Sequence, residues 1–256
     1  MKKILYASGD SFVAGMECLG DGSRGPENKE LAFPKYLATA LNCEQYINNA
    51  YHGATNDFIF RRTILDLKEL ENSGVAPADV FVLVGFTSLN RIEVDGDNFV
   101  SGYLDKANNP MSRSTTDPIP PDEYIDYGTV FLTPNNILIG KTPAGKLANM
   151  SDNVYPFCVK YLWTAPVQIP SQIARIDALH TFLKLKGYKH VIISTCSDEI
   201  EFPNNSNFFN TFGTRSFYEY GLTEYPEDLM PHNHFGSITH RAYADELIAH
   251  VRNNIL

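Results

Sequence analysis

Ser11 closes the run Gly9-Asp10-Ser11, and two histidines lie near the other end of the chain in Pro231-His232-Asn233-His234-Phe235-Gly236. A serine hydroxyl beside an imidazole is the pairing used in nucleophilic acyl transfer, where the ring takes the hydroxyl proton as the oxygen attacks a carbonyl. Each residue also has a plainer reading. Asp-Ser is a common helix start, and a lone histidine usually packs or faces solvent. A third reading is metal chemistry: His232 and His234, joined by His240 or Asp228, have residue types that ligate first-row metals. No further acid or histidine motif accompanies them, so no metal or other cofactor is expected. Gly20-Asp21-Gly22-Ser23-Arg24-Gly25 is glycine-rich but lacks the Lys-Ser/Thr ending of a phosphate-binding loop.

The elements that would position these groups alternate between strand and helix. Ile4 to Ser8 is a short apolar run broken by Gly9-Asp10-Ser11, which places Ser11 on a strand-to-helix turn. A helix N-terminus behind it would offer free N–H groups to an oxyanion. Phe33 to Leu41 carries Phe33, Leu37, Ala40 and Leu41 at helical spacing, and Gln45 to Ala50 suits a second strand. Thr55-Asn56-Asp57 supplies capping side chains for a helix bearing Phe60, Ile64, Leu67 and Leu70. Asn56 is also a candidate to line the pocket. Val80 to Phe86 is nearly all apolar, as a strand covered on both faces must be.

From 95 to 165 the pattern turns irregular and polar, with Pro118-Ile119-Pro120-Pro121 as its strongest breaker and a hairpin expected around Thr129–Ile139. This reads as an inserted segment shaping the mouth of the site within a single domain spanning 1–256. Trp163, with Tyr155, Phe157 and Tyr161, suits either ordinary core or a sugar-stacking platform. Regularity returns with a helix capped by Ser171, bearing Ile173, Ile176, Leu179 and Leu183 and ended by Gly187. His190 to Thr195 reads as a buried strand, the stretch through Phe208 and Tyr225 as a loop, and the last helix starts near Ser237. That helix should bury Ala244, Leu247, Ile248 and Val251. Such alternation predicts an α/β fold with a parallel sheet and helices on both faces, binding its ligand beyond the carboxyl ends of the strands. Three turns converge there: Gly9–Ser11, Asn49–Asn56 and Gly85–Asn90.

Composition narrows the function classes. The 256 residues are 43% hydrophobic and 20% charged, with a net charge of -9. That is an ordinary globular balance. The sign of the charge and the lack of a basic run argue against nucleic acid and anionic membranes as partners. No stretch is apolar enough to span a bilayer, and the run after Lys2-Lys3 is too short for a signal peptide, so a cytoplasmic location is expected. Cys18, Cys43, Cys158 and Cys196 stand far apart with no CxxC pair, as expected of reduced thiols.

In this order, the motifs resemble the conserved blocks of the SGNH (GDSL-type) hydrolases. Gly9-Asp10-Ser11 resembles the first block, Asn49–Asp57 the second, Val84-Gly85-Phe86-Thr87-Ser88 occupies the place of the third, and His234-Phe235-Gly236 resembles the last. GDSFVAG, HGATND and GFTSLNR look most like phage-encoded members. The resemblance covers about 1–94 and 170–256. It implies a flavodoxin-like, three-layer α/β/α sandwich and a serine esterase acting on a small acyl ester, including O-acetyl groups on carbohydrate. Ser11 would be the nucleophile and His234 the base. The N–H groups of Ser11 and Gly53 would hold the oxyanion with a third-block side chain. The family's Gly-x-Asn-Asp is absent, so that side chain would be Thr87, or alternatively Asn90. The family's aspartate three residues before the histidine is replaced by Pro231. This leaves a Ser11–His234 dyad, with Asp228 as the nearest upstream candidate for a third member. A catalytically weak SGNH-like binding module is the alternative. Arg91 would either bind an anionic substrate group or pair with Glu93 or Asp57, and His240 would pack locally.

Overall fold

The structure is a computed structural model and describes residues 3–20, 26–88, 92–95, 129–132, 137–139, 165–196, 205–209, 216–231 and 233–256. The strands are β1 (Ile4–Ser8), β2 (Gln45–Asn48), β3 (Val80–Phe86), β4 (Ile92–Asp95), β5 (Thr129–Leu132), β6 (Ile137–Ile139), β7 (Lys189–Ser194) and β8 (Phe208–Phe209). Among the described residues the α-helices are α1 (Phe33–Ala40), α2 (Asn56–Asn72), α3 (Ala165–Lys186), α4 (Phe217–Glu224) and α5 (Ser237–Asn254). The chain divides into two compact units, one of Met1–Leu89 with Ile169–Leu256, the other Asn90–Gln168.

The first unit is α/β. Its five strands run in the order β2-β1-β3-β7-β8. Every pairing is parallel, with Ala7 opposite Asn48, Ser8 opposite Val84, and Phe86 opposite Ser194. The order reverses between β1 and β3, and a crevice opens outside the carboxyl ends of strands at such a reversal. Alternation along the strands serves both faces. Leu5, Ala7, Leu83, Val191 and Ile193 join Phe33, Leu37, Tyr243 and Leu247 of α1 and α5 in one buried cluster. Each such leucine contributes about 1.5–3 kcal/mol by leaving water.

On the opposite face Tyr6 is fully buried and donates through its hydroxyl to Asp66 Oδ2 of α2 at 2.8 Å. Burial, with the Asp66 charge next, pushes the Tyr6 hydroxyl well above its ordinary range. Asp66 is compensated by Arg62 at 2.6 Å and by the Asn49 side-chain amide at 2.8 Å. The inward stripe of α2 is therefore Ile59, Thr63, Asp66 and Leu67, whereas Phe60, Ile64 and Leu70 are only half-buried. The expected stripe was rotated because a carboxylate takes an inward position that hydrophobicity alone does not mark.

β1 and β3 match the expected strands residue for residue, and α1 and α5 begin where expected. Thr55, not Asn56, caps α2, accepting from Phe58 N at 3.2 Å. Ser171 does not begin a helix: α3 starts at Ala165 and runs through Pro170, and the Ser171 hydroxyl accepts from Arg175 instead. Gly187, at φ 82°, ends α3 as expected. The stretch read as a loop after β7 contains α4, capped by Ser216, and the short strand β8. In the second unit β5 and β6 form the expected hairpin pairing, and β4 adds to β5 antiparallel. Among the described residues no helix is long and apolar enough to cross a membrane. Among the described residues Cys18, Cys43 and Cys196 form no disulfide, and Cys158 lies outside them.

Candidate active site

Ser11 follows β1 on a chain of tight turns, not on a helix. Ala14 N donates to Asp10 O at 2.9 Å, Met16 N to Ser11 O at 2.9 Å, and Cys18 N to Gly15 O at 3.1 Å. Among the described residues the next α-helix is α1. The expected helix N-terminus behind Ser11 is therefore absent, and the Asp10 carboxylate itself accepts from Phe12 N at 3.1 Å.

Two glycines let this turn lie on the sheet end. A Cβ on Gly85 would sit 2.7 Å from Thr195 Cγ2 and would also overlap Val13, and a Cβ on Gly9 would sit 2.8 Å from Val13 Cβ. Val13 occupies the space both leave. Asn48, at the end of β2, straps the turn from the side, its amide donating to Val13 O at 2.8 Å.

The loop after β2 is tied to the same place. Asn49 N donates to Ala7 O and Tyr51 N to Gly9 O, both at 2.9 Å. Ala54 N closes a turn onto Tyr51 O at 3.2 Å, with Gly53 at φ 75° in its third position. A positive φ at that position is what glycine supplies without strain. Gly53 is thus held on a turn fastened to the residue two before the nucleophile candidate.

His234 arrives on a narrow hairpin before α5. Leu229 bridges Phe235, Met230 N donates to His234 O at 2.7 Å, and Asn233 takes the left-handed conformation at φ 63°. Asparagine tolerates that conformation better than most side chains. The result is close: His234 Nε2 lies 2.7 Å from Ser11 Oγ. Phe12 packs on the imidazole at 5.0 Å between ring centroids. The Ser11 residue is 4% exposed and the His234 side chain 13%. Glu17 Oε2 lies 3.5 Å from the other ring nitrogen, Nδ1. Sequence reasoning missed Glu17, because nothing in Met16-Glu17-Cys18 marks it as other than a surface acid.

Asp228 is elsewhere engaged. Its Oδ2 accepts from Thr239 N in the first turn of α5 at 2.7 Å, and a Cβ on Gly236 would come within 2.5 Å of its Oδ1. The expectation of Asp228 as third member of a triad is corrected accordingly: a carboxylate at a helix N-terminus satisfies an orphan N–H and the helix dipole.

Thr87 is also corrected. Its hydroxyl lies 2.8 Å from Asp10 Oδ2, which also receives Thr195 Oγ1 at 2.9 Å. Thr87 is wholly buried, and its proton serves the carboxylate beneath the Ser11 turn rather than an oxyanion. Asn56, the first residue of α2, is fixed on the backbone of the same threonine, accepting from Thr87 N at 2.8 Å and donating to Thr87 O at 3.1 Å. It does not cap the helix, and both polar atoms of its amide are committed to the Thr87 backbone. Cys196 Sγ sits 3.0 Å from Thr87 Oγ1 and accepts from Ser88 N at 3.1 Å.

His240 packs locally as expected, wholly buried and accepting at Nδ1 from Phe33 N at 3.2 Å. Burial, aided by the nearby His234, lowers its pKa to about 3 and keeps it neutral. Asp57 pairs with Arg175 at 3.0 Å. Asn90, Arg91, His232 and the aromatic group around Trp163 lie outside the described residues.

A serine–imidazole pair at hydrogen-bond distance can move a proton from oxygen to nitrogen as the oxygen forms a new bond. No family model matches the chain, and no curated protein matches its sequence.

Proposed function

We propose that the chain is a serine esterase of the SGNH type, with the flavodoxin-like three-layer fold of that superfamily. The observation that carries this reading is the 2.7 Å approach of His234 Nε2 to Ser11 Oγ across 223 positions of sequence. The parallel order β2-β1-β3-β7-β8 supports the fold, since it is the doubly wound order that places loops from β1 and β3 around one crevice.

In the reaction, Ser11 Oγ bonds to the ester carbonyl carbon as its proton passes to His234 Nε2. The N–H groups of Ser11 and Gly53 face the negative oxygen that results. The carbon–alkoxide bond then breaks, and Nε2 returns the proton to the departing alcohol. Water repeats the sequence on the acyl-serine, releasing the acid and restoring both side chains. The substrate is a small acyl ester, including O-acetyl groups on carbohydrate, and neither nucleic acid nor membrane is a partner of a chain with net charge -9.

A second reading, a weakly catalytic binding module, is favoured by one feature: the Thr87 hydroxyl is committed to Asp10, so the third oxyanion donor of the family is missing at this position. A fluorophosphonate probe separates the two. Wild-type protein should label on Ser11 and hydrolyse p-nitrophenyl acetate or butyrate. Ser11→Ala and His234→Ala should each lose ~10³-fold or more in kcat/KM. Folded wild-type protein that neither labels nor hydrolyses would refute the esterase reading.

A further inference from the structure

We infer that Glu17 is the positioning residue of the histidine, an acid supplied from the turn that follows the nucleophile instead of from the segment that precedes the base. The inference rests on the esterase reading for its kinetic consequences, and on geometry alone for the pairing itself.

Three observations meet at Glu17. Its Oε2 faces His234 Nδ1 at 3.5 Å while Nε2 faces Ser11, so the imidazole is bracketed by a carboxylate and a hydroxyl. That separation suits an ion pair and is about 0.5 Å longer than an ordinary N–H···O bond. Contacts of this kind are often long in the resting enzyme and tighten as charge develops. Glu17 is also wholly buried, so its carboxylate faces the ring away from water, where a charge on the imidazole is felt more strongly than at the surface.

Third, Glu17 holds φ 65°. A long side chain in the left-handed region stores strain, and such strain persists where the surroundings over-determine it. The surroundings are visible. Gly15 takes φ 74° at a point where a Cβ would lie 2.6 Å from Ala32 Cβ and 2.7 Å from Asn28 O. Leu19 N is held by Asn28 Oδ1 at 2.9 Å, and Gly20 N closes on Glu17 O at 2.8 Å. The turn is thus pinned on both sides of Glu17, and its carboxylate is aimed inward.

Glu17 fixes the tautomer with the proton on Nδ1, leaving Nε2 free to accept from Ser11. When Nε2 takes that proton, the ring is a cation and the Glu17 carboxylate stabilises it without itself being protonated.

The test is ¹⁵N NMR of the histidine-labelled full chain, with His234 assigned by its loss in His234→Ala, alongside ester kinetics. In wild type, His234 should be the Nδ1–H tautomer when neutral; an Nε2–H tautomer overturns the inference with no variant needed. Glu17→Gln should lower the titration midpoint of His234 by about one unit or more. It should also cut kcat by ~10- to ~10⁴-fold while KM changes less than about threefold. Glu17→Asp, which keeps the charge, should restore part of both. Asp228→Asn, which still caps α5, should leave the titration and the kinetics as in wild type. A Glu17→Gln protein with the wild-type midpoint and kcat overturns the assignment, and so does loss of the midpoint shift to Asp228→Asn instead. If wild type shows no esterase activity, the proposed function fails by itself, and the tautomer and titration still decide the pairing.

Discussion

Replacing Thr87 by valine separates two roles for one hydroxyl. Valine keeps the shape of the side chain and removes the hydroxyl, with its bond to Asp10 and its contact with Cys196 Sγ. Asp10 is wholly buried, and its Oδ2 would lose the partner at 2.8 Å while keeping Thr195 Oγ1 at 2.9 Å. A hydrogen bond to a charged group contributes about 1.5–3 kcal/mol, and with both residues out of solvent no screening discount applies. For a chain of this size, about 2–4 °C of Tm accompanies each kcal/mol. Thr87→Val should therefore lower Tm by roughly 3–12 °C. Because Asp10 also holds Phe12 N beside Ser11, a modest loss of activity, less than about tenfold, should accompany it. The assay is calorimetry or thermal fluorescence together with ester hydrolysis on the same preparation. An oxyanion donor would behave oppositely: kcat would fall ~10²–10³-fold with Tm unchanged. That result would refute the placement of the Thr87 proton on Asp10.

Other outcomes follow from packing and protonation. Gly85→Ala should destabilise by about 1–3 kcal/mol through overpacking and shift the Ser11 turn; its Cβ would meet Val13 and come within 2.7 Å of Thr195 Cγ2. Denaturation midpoints and labelling rates should fall together, and a variant with unchanged stability would show that Val13 can move aside. His190 accepts at Nε2 from His180 Nδ1 at 2.9 Å, its own Nδ1–H donating to Tyr188 O at 3.0 Å. Burial lowers its pKa to about 4, against about 6.5 in the unfolded chain. The unfolded state thus binds more protons between those values, so stability is complete above about pH 6.5 and declines as pH falls toward 4. Urea midpoints should track that decline, with a shallower slope in His190→Gln; identical slopes would remove His190 as the cause.

The strand β3 and the first strand were readable because an unbroken apolar run between turn signals has few other uses in a sheet covered on both faces. The Ser11 and His234 candidates were readable for a local reason too: one sits at a strand end, the other just before a helix, and both ends fall at one edge of a parallel sheet. The inward face of α2 was not readable, since Asp66 looks like a surface acid until Tyr6, Asn49 and Arg62 are seen around it. Nor was α4, where Phe217–Glu224 is too short to show a clear period.

What the sequence by itself determined is therefore the alternation of elements and the residue types at the strand ends, both consequences of local hydrophobic pattern and turn chemistry. Which carboxylate does what was decided by the tertiary structure. Asp10, Glu17 and Asp228 are chemically alike along the chain. The fold sends one to two threonine hydroxyls, one to an imidazole, and one to a helix N-terminus. An acid's role depends on which donors and cations lie within about 3–4 Å of it, and those come from residues distant in sequence.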